Sequence, residues 1–184
     1  MNLFNLHTDP SKLLNYNERF KLPELALKRL KRDYIQREKF LTNEQREQML
    51  NTIATTAKTA FNWAHYTDKR FERGEDAIAT HAGTAYAYAM DYIEGRWEQG
   101  EDIIATDGGK SFYYAENKIR GRWEQGEDAI KQVALNNNYD STKDLVINYA
   151  VQVAHKRWDK EFEDWLLSTG YEGITEYKEY FGIK

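Results

Sequence analysis

Three acid pairs, Glu75-Asp76, Glu101-Asp102 and Glu127-Asp128, are the residues of this sequence best suited by type to chemistry. Two neighbouring carboxylates can trade a proton with a substrate or hold a cation between them. Each pair sits in one recurring phrase: RFERGEDAIAT from Arg70, RWEQGEDIIAT from Arg96 and RWEQGEDAIKQ from Arg122, at intervals of 26 residues. An enzyme of 184 residues normally carries one active site, whereas this pair comes three times in register. Residues spelled out in every copy of a repeat are scaffold far more readily than catalysts. No catalytic residue is assigned.

The remaining chemistry-bearing types give no constellation. The histidines, His7, His65, His81 and His155, show no HxxxH or HxH spacing, so no metal site is expected. Gly108-Gly109-Lys110-Ser111 has the flavour of a phosphate loop, but it lacks the preceding apolar strand and the full spacing. A loop between two helices explains it better. The absence of cysteine excludes disulfides, thiolate zinc sites and a cysteine nucleophile. The expectation is a non-enzymatic protein without cofactors.

The elements behind the phrase follow from its period. Ile53, Ile78 and Ile104 each stand eleven residues before an alanine (Ala64, Ala89, Ala115), and the residue before that alanine is aromatic: Trp63, Tyr88, Tyr114, then Tyr149 before Ala150. An Arg-aromatic pair follows six or seven residues on, at Arg70-Phe71, Arg96-Trp97, Arg122-Trp123 and Arg157-Trp158. Five copies result: 44–69, 70–95, 96–121, 122–156 and 157–184. Each reads as two short helices, in the middle copy over about 98–106 and 110–120, parted by a TDGG turn. Gly95 and Gly121 fit the left-handed position just past a helix end. The fold class expected is all-α, a short solenoid-like stack of helix pairs, because no pair buries its own faces alone. Trp97, Trp123 and Trp158 are expected to wedge between successive pairs, and Arg96, Arg122 and Arg157 to pair with carboxylates. Ala89 and Ala115 would let helices approach closely. Gly74, Gly100 and Gly126 would relieve crowding or bend the short helix.

At these residues the chain resembles a family. YAMDYIEGRWEQGEDII and YAENKIRGRWEQGEDAI are similar to the tandem repeats, of the form YAxxVIxGRWPEGExxI, found in phage-encoded and some bacterial proteins of mostly unassigned function. The resemblance is good over 60–160 and fades towards both ends. Glu98 and Glu124 stand where many copies in that family have proline. The resemblance implies a helical array and a phage setting, and supplies no catalytic residue.

Composition bounds the rest. Residues 1–43, read as a leader and a basic helix, carry nine Lys or Arg against five Asp or Glu; residues 44–184 carry seventeen against twenty-five. Aromatic residues make up 14% of the chain, enough for a bulky core at a modest apolar content. No stretch suits a membrane span or a secretion signal, and the expected location is the cytoplasm, that of the host if the chain is phage-encoded.

Function, on such an array, belongs where the repeat is broken. One break is the basic helix with Lys28, Arg29, Lys31 and Arg32. Another is the fourth copy, which is nine residues longer than its 26-residue neighbour and contains Asn136, Asn137, Asn138, Tyr139 and Asp140, read as a polar loop with an aromatic tip. A third is the aromatic end, YEGITEYKEYFGIK. The expected partner is a host protein or ribonucleoprotein complex, bound and inhibited or redirected. Nucleic-acid mimicry by the acid pairs and direct nucleic-acid binding by the basic helix rank below it.

Overall fold

Helix propensity and the two proline residues, both before residue 24, dictate the secondary structure. The computed structural model describes residues 42–137 and 139–184, and all regular structure among them is helical. The fold is all-α. The basic residues Lys28, Arg29, Lys31 and Arg32, and Asn138 of the fourth copy, lie outside the described residues. The chain divides into two compact portions, parting between Thr84 and Ala85.

The first portion contains α1 (Asn43–Ile53), α2 (Ala57–Thr67), a 3-10 turn (Glu72–Gly74), α3 (Glu75–Ile78) and the start of α4 (Ala82–Tyr92). Thr42 and Gln45 form a capping box on α1, and Thr56 caps α2 through the N–H of Thr59, so exposed helix N–H groups find acceptors. Arg73 reaches back to α1, donating to Asn51 at 3.1 Å and to Glu47 at 2.8 Å.

The second portion repeats one arrangement. It contains α5 (Glu98–Ile104), α6 (Gly108–Tyr114), α7 (Glu124–Asn136), α8 (Asp140–Asn148), α9 (Lys160–Ser168) and α10 (Ile174–Phe181). α6 and α8 run on as wide π-turns, Ala115–Ile119 and Tyr149–Ala154. Glu98 and Glu124, in place of proline, are the first helical residues after their tryptophans.

Two expectations need correction. Gly108 and Gly109 are not a turn but the first residues of α6, capped by Asp107, which accepts from the N–H of Lys110 at 2.9 Å. A glycine is needed at 108 because α7 passes directly over it: an added Cβ would meet the Ala129 carbonyl group and the Val133 side chain. Gly121 is not the left-handed residue of its copy either. Arg120 takes that conformation at φ 59°, while Gly95 does so in its own copy at φ 73°. In the third copy the second helix ends in a π-turn, with Arg120 donating to the Ala115 carbonyl at 2.7 Å, so the left-handed residue stands five positions after the alanine; in the second copy, which has no π-turn, Gly95 stands six positions after Ala89.

The buried face is that expected from the period: Ile78, Ile104, Ile130, Ala89 and Ala115 are fully buried, and Trp97, Trp123 and Trp158 nearly so. Trp123 lies between copies. Its ring packs on Tyr114 of the preceding pair at 5.0 Å and over Gly126 of its own helix, where an added Cβ would stand 2.6 Å from its Cε3. Gly74 and Gly100 meet Phe71 and Trp97 in the same way. These glycines do relieve crowding.

Two stability effects follow. Trp97→Ala removes a buried aromatic and is expected to cost about 3–5 kcal/mol. Gly126→Ala, an overpacking change, is expected to cost about 1–3 kcal/mol despite better helix propensity. Urea titrations followed by circular dichroism read both. A parent-like midpoint for either variant contradicts this packing.

Candidate functional site: a locked acid cluster and an exposed tip

The two members of each acid pair have different fates. Glu101 points inward and is 4% exposed, while Asp102 faces solvent. Arg96 clamps Glu101 side-on, Nε to Oε1 at 2.9 Å and Nη2 to Oε2 at 2.6 Å. Tyr114, from the second helix of the same copy, donates its hydroxyl to Glu101 at 3.0 Å and accepts the backbone N–H of Trp97 at 2.7 Å. That N–H begins α5 and has no side-chain cap, so the tyrosine oxygen serves as one.

The same four-part cluster recurs twice. Arg122 clamps Glu127 at 2.7 and 3.0 Å; Tyr149 donates to Glu127 at 3.3 Å and accepts from the Trp123 N–H at 2.8 Å. Arg157 clamps Glu163; Tyr177 donates to it at 2.7 Å and accepts from the Trp158 N–H at 3.1 Å. In the first portion Arg70 holds Glu75 likewise, at 2.7 and 3.1 Å. The arginines therefore pair within their own copies. Glu163 and the hydroxyls of Tyr114, Tyr149 and Tyr177 were missed from the sequence. The signal was present: a tyrosine precedes the small residue in copies two to four, where phenylalanine would fill the same space.

Electrostatics follow the geometry. Hydrogen bonding by Arg157 holds Glu163 below the usual glutamate value, and its bond to Glu101 raises Arg96. Burial, joined by Glu101, pushes the Tyr114 phenol up to about 12, and burial raises Tyr149 and Tyr177 as well. In the Glu101 cluster the two carboxylate oxygens accept three hydrogen bonds, two from Arg96 and one from Tyr114. These acids hold the helices together.

Other candidates are also occupied. The mouth of the GGKS segment is filled by Asp107, and the Ser111 hydroxyl is buried, donating to the Ile104 carbonyl at 3.2 Å. His65 stacks on Phe61, His81 lies 3.2 Å from the N–H of Thr84, and His155 Nδ1 lies 2.8 Å from the Tyr180 hydroxyl. No group of three potential metal ligands occurs among the described residues.

The fourth copy is different in kind. Its nine extra residues do not form a loop: α7 has 13 residues where α5 has 7, and α8 with its π-turn takes up the remaining three. The connection stays three residues long, 137–139, as 105–107 is in the preceding copy. The longer helices thus carry this connection further along the pair. Tyr139 there is 71% exposed and Leu135 is 44% exposed, beside exposed Asn136, Asn137 and Asp140. The sequence reading named these polar residues and Tyr139, but not Leu135.

The phenols make the scaffold sensitive to alkali. A folded-state value of about 12 against an ordinary 10.0 means Tyr114 contributes stability that is complete below pH 10 and lost as pH rises through 12. Melting temperature is therefore expected to fall steeply above pH 10, together with the appearance of tyrosinate absorbance. Tyr114→Phe, which strands the Trp97 N–H and one bond to Glu101, is expected to cost about 1–3 kcal/mol at neutral pH. An alkaline melting profile as flat as the neutral one contradicts the cluster.

Compared with family models, curated proteins and solved structures, the chain matches none.

Proposed function

We propose that this is a non-enzymatic binding protein, an array of helix pairs whose lengthened fourth pair contacts a partner protein or ribonucleoprotein. The observation that carries the reading is the tip at Leu135 and Tyr139. Of the four large hydrophobic residues exposed among the described residues, Tyr113, Leu135, Tyr139 and Tyr180, two stand together at the end of the two lengthened helices, and Tyr139 is the most exposed of the four. Aromatic anchors on a pre-ordered support bind without a large ordering cost. The setting is proposed to be a phage-infected cell, with a host complex inhibited or redirected. That part rests on the repeat phrase alone.

Two exposed carboxylates at equivalent places of the second portion, Asp102 and Asp128, favour nucleic-acid mimicry as a second reading. It ranks lower because these charges are partly quenched. Gln125 donates to Asp102 at 2.6 Å, Lys131 lies 3.4 Å from Asp128, and Glu124 lies 2.5 Å from Arg122. Direct nucleic-acid binding through Lys28, Arg29, Lys31 and Arg32 is the third.

The readings separate by experiment. With tagged full chain as bait in host lysate, the expected result is one stoichiometric complex, retained by the parent and lost with Leu135→Asp plus Tyr139→Ala, while the helical spectrum is unchanged. Retention lost instead on charge reversal at Asp102 and Asp128 supports mimicry. Steeply salt-dependent binding of duplex or single-stranded nucleic acid, abolished by reversing the four basic residues, overturns both.

A further inference from the structure

Tyr139 stands where the scaffold elsewhere puts a helix cap. At the entry of the second helix, Thr56 in the first copy and Asp107 in the third accept a backbone N–H with their side chains, and Asp159 does the same for α9. Tyr139 opens α8 with no side-chain hydrogen bond and is 71% exposed. A residue that cannot cap weakens the helix it opens. The tyrosine is therefore a cost to the scaffold, and its exposed ring needs another reason.

The surroundings of Tyr139 are acidic. Asp140 and Asp144 are one turn apart on α8 and so share a face. Asp144 accepts the Tyr171 hydroxyl at 2.5 Å, which brings the connection between α9 and α10 alongside α8, and exposed Glu172 follows Tyr171. The bond to Asp144, with the charges of Asp140 and Glu172, pushes the Tyr171 phenol up to about 12. Lys143 is the cation set among these acids, but its side chain is only 12% exposed, lying 5.4 Å from the Tyr171 ring centroid and 3.4 Å from Asp140. The Asp140 side chain remains 73% exposed. Among the described residues neither Asp144 nor Glu172 forms an ion pair, whereas Asp164 of the next copy is held by Lys160 at 2.6 Å. Asp140 also suits the positive end of α8, but Asp144 stands beyond its first turn.

We infer that this tip receives an arginine-bearing, partly apolar segment of a partner protein. The inference rests on the tip being the contact surface and names the chemistry of what meets it. A guanidinium is planar, so it stacks on an exposed tyrosine ring and donates two parallel bonds to a carboxylate; an ammonium does neither as well. Tyr139 supplies the ring, Asp140 and Asp144 the carboxylates, and Leu135, near the end of α7, an apolar surface. Three carboxylates against one lysine leave a local excess of negative charge, which attracts such a segment and repels phosphates. In a ribonucleoprotein the tip therefore meets the protein, not the nucleic acid.

Fluorescence anisotropy with the full chain tests this, using three labelled peptides of one design in which glycine and leucine alternate with arginine, lysine or glutamate. The arginine peptide is expected to bind tightest, the lysine peptide more weakly and the glutamate peptide not at all. Asp140→Asn plus Asp144→Asn is expected to weaken the arginine peptide about tenfold, through lost charge-assisted bonds. Tyr139→Asn restores a capping residue, so it should raise the urea midpoint and yet weaken the same peptide about tenfold. Asp164→Asn plus Glu176→Gln removes as many exposed carboxylates from the second portion and should leave binding unchanged. The inference is overturned if the parent does not bind the arginine peptide or does not prefer it. A Tyr139→Asn protein that binds like the parent, or a control pair as damaging as the tip pair, overturns it too. So does tight binding of a labelled single-stranded oligonucleotide that Tyr139→Asn abolishes. Capture from host lysate separates this from the reading beneath it. A complex lost with Leu135→Asp plus Tyr139→Ala but kept by Asp140→Asn plus Asp144→Asn leaves the tip as the contact and removes its cationic partner; a complex kept by both variants removes the tip itself.

Discussion

A helix that begins without a side-chain cap leaves its first backbone N–H groups needing acceptors. At Trp97 and Trp123, which begin α5 and α7, the acceptor is the hydroxyl of a tyrosine one helix further on, and the surrounding cluster is built on that bond; Trp158 makes the same bond one residue before Asp159, which caps α9. The tyrosine reaches inward only because its own proton has a buried carboxylate to go to. The carboxylate can be buried only because an arginine, half exposed to water, neutralises it from outside: the Arg96 side chain is 52% exposed against 5% for Glu101. An ion pair with one partner in water gives little net energy. Its value is geometric, since it fixes the oxygen on which the helix start depends.

The first copy shows the members to be interdependent. Counting back from Ile53 as from Ile104, Leu50 replaces the glutamate, Gln45 replaces the arginine, Arg46 replaces the tryptophan and Met49 replaces the glycine. Trp63 stands in the tyrosine's place and has no hydroxyl. All members are gone together, and the helix start is satisfied by the Thr42–Gln45 capping box instead. Loss of one member alone would strand a buried donor or acceptor, which costs more than the bond itself contributes. At the glycine's position in this copy stands Met49, which is buried.

The sequence carried the period, the helices and the buried face, because 26-residue spacing places Ile, Ala and the aromatic residues at equivalent points of every copy. Three features were not legible there, each for a physical reason. Glu101 and Asp102 are chemically alike, and only the direction in which α5 faces sorts the structural acid from the exposed one. Glu163 lies six residues from its arginine instead of five, so matching by spacing passes over it, although side-chain reach makes the change harmless. The stretch VALNNNYDS has the composition of a loop, but its first residues continue the face of α7, with Ile130 and Ala134 buried, and packing prevails over asparagine's poor helix propensity. The tip itself, bearing Tyr139, was legible because it breaks the pattern.

What remains free for function follows from what the scaffold consumes. Each cluster uses one arginine, one glutamate and one tyrosine hydroxyl, and the stacked rings use most of the aromatic surface. The cluster arginines, glutamates and tyrosines of the described residues are thus occupied in structure. In a repeat the same demand returns with every copy, so freedom from it arises only where a copy is altered. Lengthening a helix pair without lengthening its connection is the alteration that costs the scaffold least. The cluster at Arg122, Glu127, Trp123 and Tyr149 stays closed at the base of the pair. The added turns carry side chains beyond it, and Leu135 and Tyr139 at the far end are exposed among the described residues.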